Sequence, residues 1–268
     1  MSHTMTCNAS TLPWVGCAGW SIPAQYADAF PAEGTHLERY ARRFNTVEIN
    51  SSFYRPHRPA TYRRWAASVP DSFRFAVKMI KTVTHAQRLR DAESHVQRFL
   101  GEAMELQSKL GCVLIQLPPS AACDMPVAEA FFAMLRKHYA GPVVYEPRHA
   151  SWFEPAATAL LQRHAIGRVG ADPPPHRNAG DAAGDESVCY FRLHGSPRMY
   201  YDAYSDDFLQ QMAARMRACA ATGAMTWCIF DNTALGHATG NALALAEKLG
   251  LPTHAGQEAG SSRPVAGR

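Results

Sequence analysis

"VVYEPRHASWF", residues Val143 to Phe153, starts as a buried strand and ends in charge. Val143, Val144 and Tyr145 are strand formers in a row. Glu146, Pro147, Arg148 and His149 follow at once, and a strand packed inside a domain cannot bury them without paired partners. An apolar strand that finishes in an acid, a base and an imidazole fits a fold whose strands open their carboxyl ends onto a site.

The same shape recurs along the chain. Strand-length apolar runs stand at "WVGCAG" (14–19), "TVEIN" (46–50), "FRFAVKM" (73–79), "GCVLIQL" (111–117), "VVYEP" (143–147), "IGRVGAD" (166–172), "VCYFRLHG" (188–195) and "TWCIFDN" (226–232). Amphipathic segments such as "HLERYARRF", "HVQRFLGEAMELQSKL" and "DDFLQQMAARMRACA" lie between them, the pattern of a parallel sheet with crossover helices. Eight β/α units in about 240 residues predict an α/β fold of the single (β/α)₈ TIM-barrel type. A dinucleotide-binding open sheet is disfavoured, because "GCAGWS" lacks the GxGxxG spacing and opens no helix.

Ser151, with Glu154 three residues on, predicts a capping box at the start of the fifth helix. "DPPPHRNAGDAAGDES" (172–187) has three prolines in a row and no apolar period, so a Pro-rich loop is expected largely to replace the sixth helix. The barrel domain is expected over 13–251, between a disordered leader, 1–12, and a disordered tail, 252–268.

Of the 268 residues, 47% are apolar and 19% charged, enough to bury a large core. No run approaches the ~20 apolar residues of a membrane span. "MSHTMTCNASTLP" has neither the basic nor the apolar region of a signal peptide, so a cytoplasmic location is expected. Seven cysteines without a CxxC pair read as reduced thiols, with Cys17, Cys112, Cys189 and Cys228 in apolar runs. A net charge of +4 does not by itself call for nucleic acid. The stretch "RPHRPATYRR" (55–64) between Tyr54 and Trp65 keeps a phosphate-contacting alternative open.

Polar residues fall at the strand ends, where this fold places its active-site mouth. Trp20 follows the first strand, Glu48 and Asn50 end the second, Lys78 the third and Gln116 the fourth. Glu146 and Arg148 end the fifth, Asp172 the sixth, Arg192 and His194 the seventh, and Asp231 and Asn232 the eighth.

These stretches resemble the YecE-like family, domain of unknown function 72. The resemblance rests on "GCAGWS", "FNTVEINSSFYRP", "FRFAVKMIKTVTH", "KLGCVLIQLPPS", "YEPRHASWF", "YFRLHG" and "FDNTALGHATGNA". It implies a TIM-barrel fold and no particular activity. Its recurrent polar positions fall on Trp20, Glu48, Asn50, Tyr54, Lys78, His85, Gln116, Glu146, Arg148, Trp152, Asp172, Arg192, His194, Gly195 and Asn232. The chain departs from the family where Asp231 replaces an asparagine and Ile22 an aromatic residue.

No HExxH, nucleophile elbow or P-loop is present, and no cofactor is expected. Carboxylates, two arginines, a lysine and histidines at one rim suit acid–base chemistry on a small carboxylate or phosphate. Glu48, Glu146, Lys78 and His194 are the expected catalytic groups, and the remaining polar positions are expected to bind substrate. Arg148, close in sequence, should neutralise Glu146 and leave Glu48 as the general base. Lys78 is expected to pair with carboxylates and stay charged rather than form a Schiff base. Arg192, His194, the Gly195 amide and Asn232 are expected to form an anion site. Glu48, Glu146, Asp172 and His194 form a weaker metal-binding alternative. Metal-dependent phosphodiester processing and a non-catalytic ligand-binding barrel are the competing readings.

Overall fold

The computed structural model describes residues 12–177 and 179–252. The expected leader and tail lie outside these residues, apart from Leu12 and Pro252. The strands are β1 (Trp14–Cys17), β2 (Thr46–Ile49), β3 (Arg74–Lys78), β4 (Leu110–Gln116), β5 (Val143–Glu146), β6 (Ile166–Arg168), β7 (Gly170–Asp172), β8 (Ala183–Gly184), β9 (Val188–Leu193) and β10 (Met225–Phe230). The α-helices are α1 (His36–Ala41), α2 (Pro59–Ala67), α3 (Glu93–Ala103), α4 (Met125–His138), α5 (Pro155–Arg163), α6 (Asp206–Ala221) and α7 (His237–Leu249).

The strands group into two sheets, ordered β1-β10-β9-β7 and β2-β3-β4-β5-β6-β8. Every pair is parallel except β6 with β8. The chain is thus an α/β fold with parallel sheets. The sheets touch at one edge, where Ala18 and Glu48 form a parallel bridge and the Gly19 amide donates to the Glu48 carbonyl at 3.0 Å. Gly16 makes that approach possible, since a Cβ there would lie 2.1 Å from the Thr46 carbonyl oxygen.

The expected sixth strand is two. β6 pairs with β5 and β7 with β9, and Val169 between them still donates to the Tyr145 carbonyl. Gly170 allows the change of partner, because a Cβ there would meet the Gly180 carbonyl oxygen at 2.8 Å. From Pro173 to Ser187 no described residue is helical, and β8 folds back against β6.

Local signals explain the helix starts. Thr35 and Glu38 form a capping box on α1, while the Asp124 and Ser205 side chains accept from the third residues of α4 and α6. The capping box expected at Ser151 does not form. Pro155 moves the start of α5 so that Glu154 is its cap, and the Ser151 hydroxyl instead accepts from the Cys123 amide at 2.8 Å. The six described cysteines are free, with Cys189 half-buried rather than in the core.

Period-two alternation sorts the strand residues into two apolar clusters. Val47, Ile49, Phe75, Val77, Val113, Ile115, Tyr145, Phe191 and Phe230 pack with helix residues such as Phe99, Phe132 and Leu245. The opposite faces supply Ala76, Cys112, Leu114, Val144, Val169, Tyr190, Trp227 and Ile229 to a smaller cluster. Glu48, Lys78, Glu146 and Arg192 stand in register with that second set, toward the carboxyl ends of the strands.

Candidate active site

Arg192 is the centre of the cluster. Its Nε donates to Glu48 Oε2 at 3.0 Å and Oε1 at 3.2 Å, and Nη2 donates to Glu48 Oε1 at 2.7 Å. Nη1 reaches Glu146 Oε2 at 3.1 Å, and Nη2 lies 2.9 Å from Asp231 Oδ2. β2, β5, β9 and the end of β10 therefore each send one charge to a single point. Arg192, Glu48 and Glu146 are at most 1% exposed. Burial penalises the guanidinium, yet Asp231, Glu48 and Glu146 outweigh it and hold its pKa well above the ordinary value.

His194, two residues along the same face, lies between acids. Its Nδ1 is 3.1 Å from Asp231 Oδ2 and its Nε2 is 3.0 Å from Glu146 Oε1. Nε2 is also 2.6 Å from Arg148 Nη2, and Arg148 pairs with Glu146 Oε1. A protonated Nε2 donates to Glu146, whereas an unprotonated one accepts from Arg148. Burial alone would raise the Glu146 carboxyl, but Arg148, Arg192 and His194 hold it well below its ordinary value. Asp231 is lowered against burial by Arg192, His194 and Lys78.

Lys78 behaves differently from the expectation of an ion-paired lysine. Its Nζ closes no ion pair with another described residue and lies over the Phe53 ring, 4.5 Å from the centroid. The carboxylates within electrostatic reach are already committed to Arg192, Arg148 and His194. Burial and then the Arg192 charge outweigh their attraction and lower the Lys78 pKa to about 8. His85 packs against the same Phe53 ring at 4.9 Å, and burial, Lys78 and Lys81 lower its pKa.

Glu48 is not left as a free base. It carries the bidentate Arg192 contact and accepts the Tyr190 hydroxyl at 3.0 Å, so each glutamate has an arginine partner. Nor do Glu48 and Glu146 line a wet rim, since neither is exposed. The four donors expected to share an anion are individually engaged. Arg192 and His194 hold carboxylates, the Gly195 amide donates to the Tyr204 hydroxyl at 2.8 Å, and Asn232 Nδ2 donates to the Asp202 carbonyl and to Asn241 Oδ1. Gly195 is glycine because its φ is +94° and a Cβ would lie 2.9 Å from the Asp202 carbonyl oxygen.

The metal alternative does not assemble. Asp172 accepts from the Tyr204 hydroxyl at 2.9 Å, and a guanidinium already lies between Glu48 and Glu146. Among the described residues no three His, Cys, Asp or Glu side chains form a metal-holding group.

Trp20, Tyr54, Trp152 and Gln116 are outside the ion-pair network, although Gln116 is the β4 register partner of Glu146. Trp152 is core: it is buried against Tyr145, and its Nε1 donates to the Ala121 carbonyl at 3.0 Å, so it cannot stack on a ligand. Tyr54 is 76% exposed, Trp20 packs edge-on to Trp65, and Gln116 donates to the Leu117 carbonyl. Asn50 Oδ1 and Arg148 Nε are buried without a hydrogen-bond partner among the described residues. Tyr190 and Tyr204 also belong to the cluster's hydrogen bonds, although neither ends a strand in the sequence pattern. Tyr190 had a signal, since it shares the period-two face of Arg192 and His194.

Fold and cluster together define an α/β protein with parallel sheets that gathers a buried ion-pair network at the carboxyl ends of its strands. The chain belongs to the family described as "Protein of unknown function DUF72", whose sequence model matches residues 14–264. It is 30% identical over 168 residues to UPF0759 protein YecE of Escherichia coli K12, covering 60% of each chain. It is 30% identical over 152 residues to UPF0759 protein YunF of Bacillus subtilis, covering 53% of this chain and 52% of that protein. The matches thus span little more than half the length of these curated relatives. A DUF72 family protein from Thermotoga maritima superposes with a TM-score of 0.74 at 23% identity, covering 90% of this chain and 100% of the other. One from Enterococcus faecalis also gives 0.74, at 20% identity, with 90% and 96% covered. No helix among the described residues is long and apolar enough to cross a membrane.

Proposed function

We propose that the two sheets are parts of one (β/α)₈-type barrel, and that its charged mouth is an acid–base site for a small carboxylate or phosphate. The barrel reading is supported by the Ala18–Glu48 bridge at one seam, the unbroken chain from β6 into β7 at the other, and the second apolar cluster as interior filling. Lys78 carries the functional reading: it is a nearly buried cation, without an ionic partner among the described residues, beside a cluster whose other charges are paired. A buried ammonium left unpaired in a mouth otherwise full of matched charges is suited to an anion.

In this reading Lys78 and Arg148 hold the anion, Arg148 through its unpartnered Nε, while His194 exchanges a proton against Glu146 and Asp231. Arg192 positions all three acids. Titration with inorganic phosphate and with lactate, followed by histidine NMR, tests it. Saturable shifts of His194 in the wild type and their loss in Lys78→Met are expected. Shifts that survive in Lys78→Met, or none in the wild type, overturn the reading.

Nucleic acid is the second reading, drawn from exposed Arg55, Arg58 and Arg64 beside exposed Tyr54. The stretch offers fewer free groups than its sequence suggested, because Tyr62 is buried and Arg63 pairs with Glu105. Steep weakening of oligonucleotide binding with salt supports it, and salt-independent or absent binding removes it.

A further inference from the structure

We propose that Lys78 captures the carbonyl carbon of a small 2-oxo acid as an imine, with Arg148 holding the substrate carboxylate; this rests on the small-anion reading of the same mouth. The geometry sets Lys78 apart from the chain's four other lysines. Lys109 pairs with Asp71 and donates to two carbonyls, Lys248 pairs with Asp206, and Lys81 and Lys137 are exposed. Only Lys78 combines near-complete burial with a nitrogen that no acid or carbonyl among the described residues holds.

Three acids stand close enough to influence Lys78 electrostatically, which in isolation would keep it an ammonium and useless as a nucleophile. Arg192 spends those acids: it bonds Glu48, Glu146 and Asp231 at once and adds its own repulsion to the amine. A neutral amine is then accessible near neutral pH, the condition for attack on a carbonyl.

The anchor stands two strands away. β3 and β5 flank β4, so the Lys78 and Arg148 backbones enter the mouth roughly 10 Å apart, a gap that their long side chains and a three- to five-carbon acid can bridge. Arg148 Nε–H, buried without an acceptor among the described residues, can donate to a carboxylate oxygen. His85, packed against the same Phe53 ring, supplies an imidazole whose pKa is lowered by burial, Lys78 and Lys81.

The step balances without an oxidant. The Lys78 lone pair forms the C–N bond as the carbonyl π pair moves to oxygen, which takes a proton, while the nitrogen gives one up. A second proton converts the hydroxyl to leaving water and the nitrogen lone pair closes the C=N bond. Amine, carbonyl and one proton become a protonated imine and water, and release of that proton gives the imine.

Incubation with pyruvate and cyanoborohydride near neutral pH, followed by peptide mapping, tests the proposal. A reduced adduct should form at Lys78 on the order of a hundred-fold or more faster than at the other lysines, since a pKa of about 8 against an ordinary lysine value of ~10.4 leaves roughly a few hundred times more neutral amine near neutral pH. Lys78→Arg, checked for folding by circular dichroism, should lose it. Equal labelling of all lysines, or an unchanged pattern in Lys78→Arg, overturns the imine. Lactate has the carboxylate and lacks the carbonyl: if it shifts His194 while pyruvate leaves no adduct, the imine fails and the small-anion site stands. If neither ligand acts, both fail.

Discussion

Replacing Arg192 by Met removes a cation that makes five close contacts with three carboxylates. The acids are not left equally exposed to the loss. Glu146 keeps Arg148 and Asp231 keeps His194, whereas Glu48 retains only the neutral Tyr190 hydroxyl. One fully buried carboxylate is therefore orphaned, and breaking a buried pair from one side costs about 3–5 kcal/mol. For a domain of this size that is a fall in melting temperature of roughly 6–20 °C. The deficit should depend on pH in one direction. In the wild type the Glu146 and Asp231 pKa values are depressed, so their contribution is present at neutral pH and is lost as pH falls through those depressed values. In the variant the repulsion among uncompensated acids raises their pKa values, and protonation relieves the strain as pH falls toward about 5. Urea denaturation near pH 7 and near pH 5 measures both. A deficit below about 1 kcal/mol at neutral pH, or one that widens on acidification, would refute the view of Arg192 as the keystone.

Lys78→Met should leave the protein folded and more stable by about 1–3 kcal/mol near pH 7, because a depressed lysine pKa means that the folded state resists the charge. The gain should fade as pH rises from about 8 through the ordinary lysine range, where the unfolded state also releases its proton; melting curves across that range check it. Tyr190→Phe removes the 3.0 Å bond to Glu48 and should cost about 1–3 kcal/mol in urea denaturation. Gly16→Ala forces a Cβ against the Thr46 carbonyl and should cost about 1–3 kcal/mol or more, with faster amide exchange at the β1–β2 edge. Trp152→Phe should lower stability through the lost Ala121 bond yet leave phosphate-induced His194 shifts unchanged.

The strands and their faces were legible because periodicity is a local property. "YFRLHG" put Arg192 and His194 on one face with Phe191 and Leu193 on the other, and the packing follows that division. The helix does not start at Ser151, because Pro155 fixes the first turn more firmly than a serine side chain caps it. The split of the sixth strand was invisible, since it depends on which neighbours Gly167 and Gly170 meet.

By itself the sequence determined that acids, arginines, a lysine and a histidine would converge on the carboxyl ends of parallel strands, because strand order and period two are written along the chain. Only the tertiary structure decided which charges would cancel. Arg148 lies beside Glu146 in sequence, but Arg192 reaches both glutamates and Asp231 across the strands, and so removes the partners that were expected to keep Lys78 charged. Pairing energies and desolvation vary with distances of a few ångströms between residues far apart in the chain, and those distances exist only once the chain is folded.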